Sequence, residues 1–103
     1  MKQYRQGDVL IQQVAELPGD CVVERHKGRL VLAEGEVTGH AHAIRASTSK
    51  VKQYTKGTEL YLEVRKPVVV EHEEHGPISL EPGIYQVRRQ LEFWYDEVRR
   101  VAD

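Results

Sequence analysis

Glycine and proline interrupt this chain so often that a long helix has nowhere to form. Pro18-Gly19, Gly28, Gly57, Gly76-Pro77 and Pro82-Gly83 fall between short runs rich in β-branched and aromatic residues. Runs of that kind, bounded by turn residues about every ten positions, build β-sandwiches and barrels. The expected fold is all-β, a small barrel or sandwich of antiparallel hairpins. With 103 residues there is surface enough to bury for one core and too little for two, so a single domain is expected over residues 1–103.

Val9–Val14 reads as the first strand, closed by Leu17-Pro18-Gly19-Asp20. Residues 21–25 and 29–33 flank His26-Lys27-Gly28. There a glycine can supply the left-handed conformation that ends a three-residue loop, which makes this the best local hairpin. Gly35 and Gly39 then deliver the chain through a turn or bulge onto a strand over residues 40–45. Ala46-Ser47-Thr48-Ser49 reads as an exposed loop. Residues 51–54 and 58–64 bracket Thr55-Lys56-Gly57 as a second hairpin, with Leu60, Leu62 and Val64 on one face. Pro67-Val68-Val69-Val70 is a continuous apolar run that leads into Glu71-His72-Glu73-Glu74-His75. Beyond Gly76-Pro77 come a short strand over Ile78–Leu80, a tight turn at Glu81-Pro82-Gly83 and a long strand over 84–94. In that strand Tyr85, Val87, Leu91 and Phe93 share the apolar parity. The conformation of 95–103 stays open, because Val98 and Val101 fix no period.

The charges exclude some partners. With 15 basic and 16 acidic residues and a formal net charge of −1, no overall field draws the chain to nucleic acid or to an anionic membrane. Arg88-Arg89 and Arg99-Arg100 interleave with Glu92, Asp96 and Glu97, as on a salt-bridged strand face. No apolar run approaches the ~20 residues of a membrane span. Val9-Leu10-Ile11 is far shorter than a signal-peptide core. The single Cys21 cannot pair internally and reads as a small buried hydrophobe, so a cytoplasmic location is expected. No glycine cluster opens a helix to cradle phosphate, and Ser47, Ser49 and Ser79 have no nucleophile-elbow context.

The chemistry concentrates in histidines. Four of the five stand in two pairs, Gly39-His40-Ala41-His42-Ala43 and His72-Glu73-Glu74-His75. Residues two apart on a strand project from one face, so His40 and His42 can chelate one ion while Ala41 and Ala43 point the other way. His72 and His75 are three apart, and both serve only if the chain bends between them or at Gly76-Pro77. If one serves alone, His75 abuts that bend. Imidazole suits a divalent transition metal, zinc first, with Fe, Mn, Ni or Co as alternatives. Glu71, Glu73 and Glu74 can ligate, orient a histidine or carry a proton. His26, in the expected hairpin turn beside Lys27, reads as a surface residue.

Gly35-Glu36-Val37-Thr38-Gly39-His40-Ala41-His42 resembles the first half of the cupin metal motif, a glycine followed by a His-x-His pair on a barrel strand. Residues 78–87 are similar to the Pro-Gly-turn and strand pattern of the same family. The resemblance implies a small cupin-like β-barrel holding Fe, Mn, Ni or Zn through histidines and a glutamate. The chain departs from the pattern in two places. No acid stands near Ser47, where the glutamate belongs, and no histidine follows Pro82-Gly83, so a third ligand has to come from His72 or His75. The paired Gly-His-Ala-His and His-Glu-Glu-His-Gly-Pro pattern also resembles short uncharacterised bacterial proteins, a likeness that implies no activity.

The expected function is binding of one divalent transition metal through His40, His42, His72 and His75. With an open metal position, the ion activates water or a small-molecule substrate, Glu73 or Glu74 carries the proton, and the reaction is that of a lyase, hydrolase or oxygenase. The other class is a non-catalytic interaction module with a structural metal site or none. A homodimer is expected, since Phe93 and Trp94 point to opposite faces and one of them is left to meet a partner.

Overall fold

The computed structural model describes residues 1–34 and 39–89, and these form ten strands and no helix. In chain order they are β1 (Gln3–Gln6), β2 (Val9–Val14), β3 (Val22–Glu24), β4 (Arg29–Glu34) and β5 (Ala41–Arg45). There follow β6 (Val51–Lys56), β7 (Glu59–Val64), β8 (Val68–Glu71), β9 (Ile78–Leu80) and β10 (Gly83–Arg89). A six-stranded sheet runs β1-β2-β10-β7-β6-β3 and a four-stranded one runs β4-β5-β8-β9. Every strand pair is antiparallel. Among the described residues the two sheets do not close into a barrel, and the sandwich alternative describes them.

One core fills the space between the sheets. Val9, Ile11, Leu62 and Tyr85 from the larger sheet meet Leu30, Ile44, Val70 and Leu80 from the smaller, all 1% exposed or less. Each such side chain contributes on the order of 1.5–3 kcal/mol of transfer free energy. The expected parities hold where the described residues cover them: Tyr85 and Val87 face the core, as do Leu62 and Val64.

The β6–β7 hairpin forms as expected, with its turn one residue later. Lys56 pairs with Glu59 across Gly57-Thr58, and Gly57 takes the positive φ (62°) that the first position of a two-residue type II′ turn requires. The other expected hairpin does not form. β3 pairs with β6 and β4 with β5, so His26-Lys27-Gly28 carries the chain from one sheet to the other. The physical reason is burial: Leu30 and Leu32 on β4 fill the core, while Val22 and Val23 on β3 are 60% and 52% exposed. Edge strand β3 has too little to bury beside β4. Cys21 is accordingly half-buried rather than a core residue. The turn at Pro82-Gly83 is likewise a crossover, from β9 at one sheet's edge to β10 inside the other. β8 is buried on one face only, with Val69 outward at 42% exposure, so its apolar run is not a continuous core segment. Residues 35–38 and 90–103 lie outside the described residues, and with them the expectations for Phe93, Trp94 and Arg99-Arg100.

One end of the sandwich collects the ends that matter. The Gly7-Asp8 turn between β1 and β2, the start of β5, the end of β8 and the end of β10 meet there, since Ala43 pairs with Glu71 and Arg89 with Val9.

Candidate metal centre

Strand register assembles the histidines. On β5 and β8, Ala43 lies opposite Glu71 and Ile44 opposite Val70. Continued past the end of β8, that register sets His42 beside His72, Ala41 beside Glu73 and His40 beside Glu74. The contacts agree. The His42 and His72 ring centroids are 4.3 Å apart, Ala41 N–H donates to Glu73 Oε1 at 2.7 Å, and His40 Nδ1 stands 3.6 Å from Glu74 Oε1.

The bend that the second pair needed lies between its two members. His72 Nδ1 accepts the backbone N–H of Glu74 at 3.0 Å and that of His75 at 3.4 Å, closing a tight local turn. His72 Nε2 remains the ring nitrogen without a partner among the described residues. The turn brings the His72 and His75 rings to 4.8 Å, and His75 lies parallel to His42 at 6.2 Å. His40 meets His72 edge-on at 5.6 Å. The rings of His40, His42 and His75 therefore all touch that of His72, which stands at the centre of the four.

His42 is the most enclosed, at 1% exposure. A β-bulge between Val31 and Ala33 places the small Ala33 opposite it, which leaves room for the ring. Its Nδ1 lies 2.8 Å from Gln6 Oε1, and its Nε2 faces Asp8 Oδ1 at 3.3 Å. Gln6 is itself buried and donates its amide to Val70 O at 3.0 Å and Gly76 O at 2.9 Å. Gly7, between them, has φ 57°, and a Cβ there would stand 2.6 Å from His75 Nε2 and 3.4 Å from His42 Cε1. The sequence expectations omitted Gln6, Gly7 and Asp8, and β1 with them. The available signal was Gly7-Asp8, a Gly-X pair of the kind that closes two-residue hairpins.

The electrostatics differ from residue to residue. Burial pushes His42 below its ordinary pKa, the neighbouring His72 adds to this, and Asp8 opposes it. Burial alone would raise the Asp8 carboxyl, but the hydrogen bond and charge of Arg89, whose guanidinium stands 3.3 Å from Asp8 Oδ2, hold it below the usual carboxylate value. Glu73 is lowered chiefly by the Ala41 N–H. His40 Nδ1 is buried with no hydrogen-bond partner. One ligand atom each from His40, His72 and Glu73 lies within 4.8 Å of the others, close enough for a modest side-chain adjustment to gather them on one ion.

A cleft of about 330 Å³ opens beside this group on the outer face of the smaller sheet. Ala41 and Ala43 floor it, His72 and Glu73 stand at one end, Glu71 lies along its side, and Arg29 and Arg45, directly opposite each other on β4 and β5, stand at the other. His26 is remote from the cluster. It was expected on the surface, but it is half-buried and its Nε2 meets Val51 O at 2.9 Å, because the crossover packs it against β6.

No helix among the described residues is long and apolar enough to cross a membrane. No curated protein and no solved structure matches the chain. The family model Domain of unknown function (DUF8820) matches residues 5–90, a span that takes in Gln6, Asp8 and all four clustered histidines, and the chain belongs to that family.

Proposed function

We propose that this protein binds one divalent transition metal at the histidine end of the sandwich and uses it on a small anionic substrate. The observation that carries this reading is the gathering of His40, His72 and Glu73 ligand atoms within 4.8 Å, in a cluster that also packs His42 and His75. Packing four imidazoles together is costly when they are protonated and favourable when they share a cation. Two histidines and a carboxylate leave further coordination positions for other donors and for substrate, as catalytic sites do. Imidazole with carboxylate suits zinc or Fe(II) better than a soft thiophilic metal. The cupin resemblance supports the same assignment through His40 and His42.

The carboxylates divide the work. Glu73, held ionised by the Ala41 N–H, suits a ligand. Glu74 has its carboxylate beside His40 and suits the proton carrier. The cleft supplies the substrate class. Arg29 and Arg45 face each other with no ion-pair or hydrogen-bond partner among the described residues, an arrangement that an anion relieves.

The test is elemental analysis of protein purified without an affinity tag. About one equivalent of metal, lost in His40→Ala and kept in His26→Ala, is expected. Protein that carries no metal and takes up none on addition of Zn²⁺, Fe²⁺ or Co²⁺ refutes the proposal.

A further inference from the structure

The β1–β2 turn reaches the histidine cluster from the opposite sheet, and its hydrogen bonds constrain where protons can be. Gln6 Nε2 spends its two N–H groups on Val70 O and Gly76 O, at 3.0 and 2.9 Å. Turning the amide over would set its oxygen against two carbonyl oxygens, so Oε1 is the atom that faces His42 Nδ1 at 2.8 Å. An amide oxygen only accepts. His42 Nδ1 therefore carries the hydrogen, and the neutral ring presents its lone pair at Nε2.

That lone pair faces a second acceptor, Asp8 Oδ1, at 3.3 Å. Two acceptors in that position call for something positive between or beside them. A proton on Nε2 would meet that call with an ion pair as long as the 3.3 Å one between Asp8 and Arg89, and a metal ion shared by the two acceptors meets it as well. Two ligand atoms each about 2.1 Å from one ion stand about 3.0 Å apart at right angles and about 3.4 Å apart at the tetrahedral angle. The observed spacing falls in that range. A ligating histidine also commonly donates its other ring N–H to an oxygen, which is what Gln6 provides.

We propose that Asp8 Oδ1 and His42 Nε2 are adjacent ligands of the metal, and that Gln6 is the positioning residue that fixes the His42 tautomer. Gly7 gives this turn its room, since a Cβ would meet His75 Nε2 at 2.6 Å. Arg89 holds the other Asp8 oxygen at 3.3 Å, leaving Oδ1 for the ion. The inference rests on the metal assignment above and adds to it that the ion joins the two sheets, with donors from the β1–β2 turn as well as from β5 and the β8–β9 loop.

Titration of Co²⁺ into the full chain, followed by visible absorption and by competition with a chromophoric chelator, tests it. The wild type should bind about one equivalent. Asp8→Asn, with folding verified by circular dichroism, should bind at least about 10-fold more weakly and show a changed cobalt spectrum, and Asp8→Glu should recover part of both. Gln6→Leu should lose about 10- to 100-fold in affinity. In two-bond ¹H–¹⁵N spectra of the metal-free protein, His42 should be the Nδ1–H tautomer in the wild type and lose that preference in Gln6→Leu, a change that destabilisation alone would not cause. If Asp8→Asn folds and binds cobalt with wild-type affinity and an unaltered spectrum, Asp8 is no ligand and this inference falls while the metal assignment stands. If the wild type binds no cobalt, both fall.

Discussion

At the scale of single residues, period and parity made half of the candidate site legible and left the other half hidden. His40 and His42 announce themselves because residues two apart share a strand face. Gln6 and His42 are 36 positions apart, and Gln6 lies 64 and 70 positions from the carbonyls it binds, so no local pattern connects them. Gly7 tests that hidden half. Alanine there must adopt a left-handed backbone, at about 1–2 kcal/mol, and its methyl must displace the His75 ring. Gly7→Ala should lower both the melting temperature and metal affinity. Gly7→Asn, which tolerates the backbone better but carries the same Cβ, should regain stability without regaining affinity. Equal metal affinity in all three proteins would show that His75 needs no room at Gly7. A second residue-scale prediction concerns Tyr61, whose hydroxyl donates to Glu59 Oε2 at 2.6 Å. That bond, with burial, pushes its pKa from 10.0 up to about 12. Because the folded value is the higher, the stabilisation is complete below pH 10 and is lost as pH rises through about 12. Difference absorbance titration of wild type against Glu59→Gln should show one tyrosine moving down towards 10; coincident curves would deny the bond its effect.

At the scale of elements, the strands that could be read were those with a strong inside face. β2, β7 and β10 carry their apolar parity openly, and β6–β7 adds a turn glycine. Pairing was harder to read. β3 and β4 look like a hairpin because a glycine stands between them, yet the choice of partner depends on which strands have a face to bury, which is a property of the whole sheet. The stability consequences follow the same division. Leu62→Ala on β7 should cost about 2–5 kcal/mol, whereas Val22→Thr on the exposed β3 should stay within about 0.5 kcal/mol; urea denaturation of the two variants would reverse this ranking only if β3, rather than β7, bears on the core. The arginine pair on β4 and β5 gives an outcome with two signs. Replacing Arg29 and Arg45 together by Gln removes a like-charge cross-strand contact, which should raise stability by a few tenths to about 1 kcal/mol. The same change should weaken binding of a small carboxylate such as malonate to the metal-loaded protein. Undiminished malonate affinity would remove the cleft as the anion's seat.

At the scale of the whole molecule, the metal assignment has a mechanical consequence. Gln6 already ties the six-stranded sheet to the four-stranded one through Val70 O and Gly76 O, and Arg89 reaches from β10 to Glu34 O at 3.3 Å. An ion held by Asp8 and His42 together with the histidines of the β8–β9 loop would add a third tie at the same end. It would bind the folded sandwich and not the separated sheets, so by linkage a free metal concentration of 100 times the dissociation constant stabilises by about 2.7 kcal/mol. For a domain of this size, 1 kcal/mol moves the melting temperature by about 4–8 °C, which makes the expected increment roughly 10–20 °C. Differential scanning fluorimetry with saturating Zn²⁺ and then with excess chelator should show that increment appear and vanish. His26→Ala, which loses its bond to Val51 O far from the cluster, should melt lower under both conditions and keep the full difference between them. His42→Ala should melt at one temperature with or without metal. A wild-type protein whose melting ignores both metal and chelator would mean that the two sheets are held together by the apolar core and the Gln6 and Arg89 ties alone.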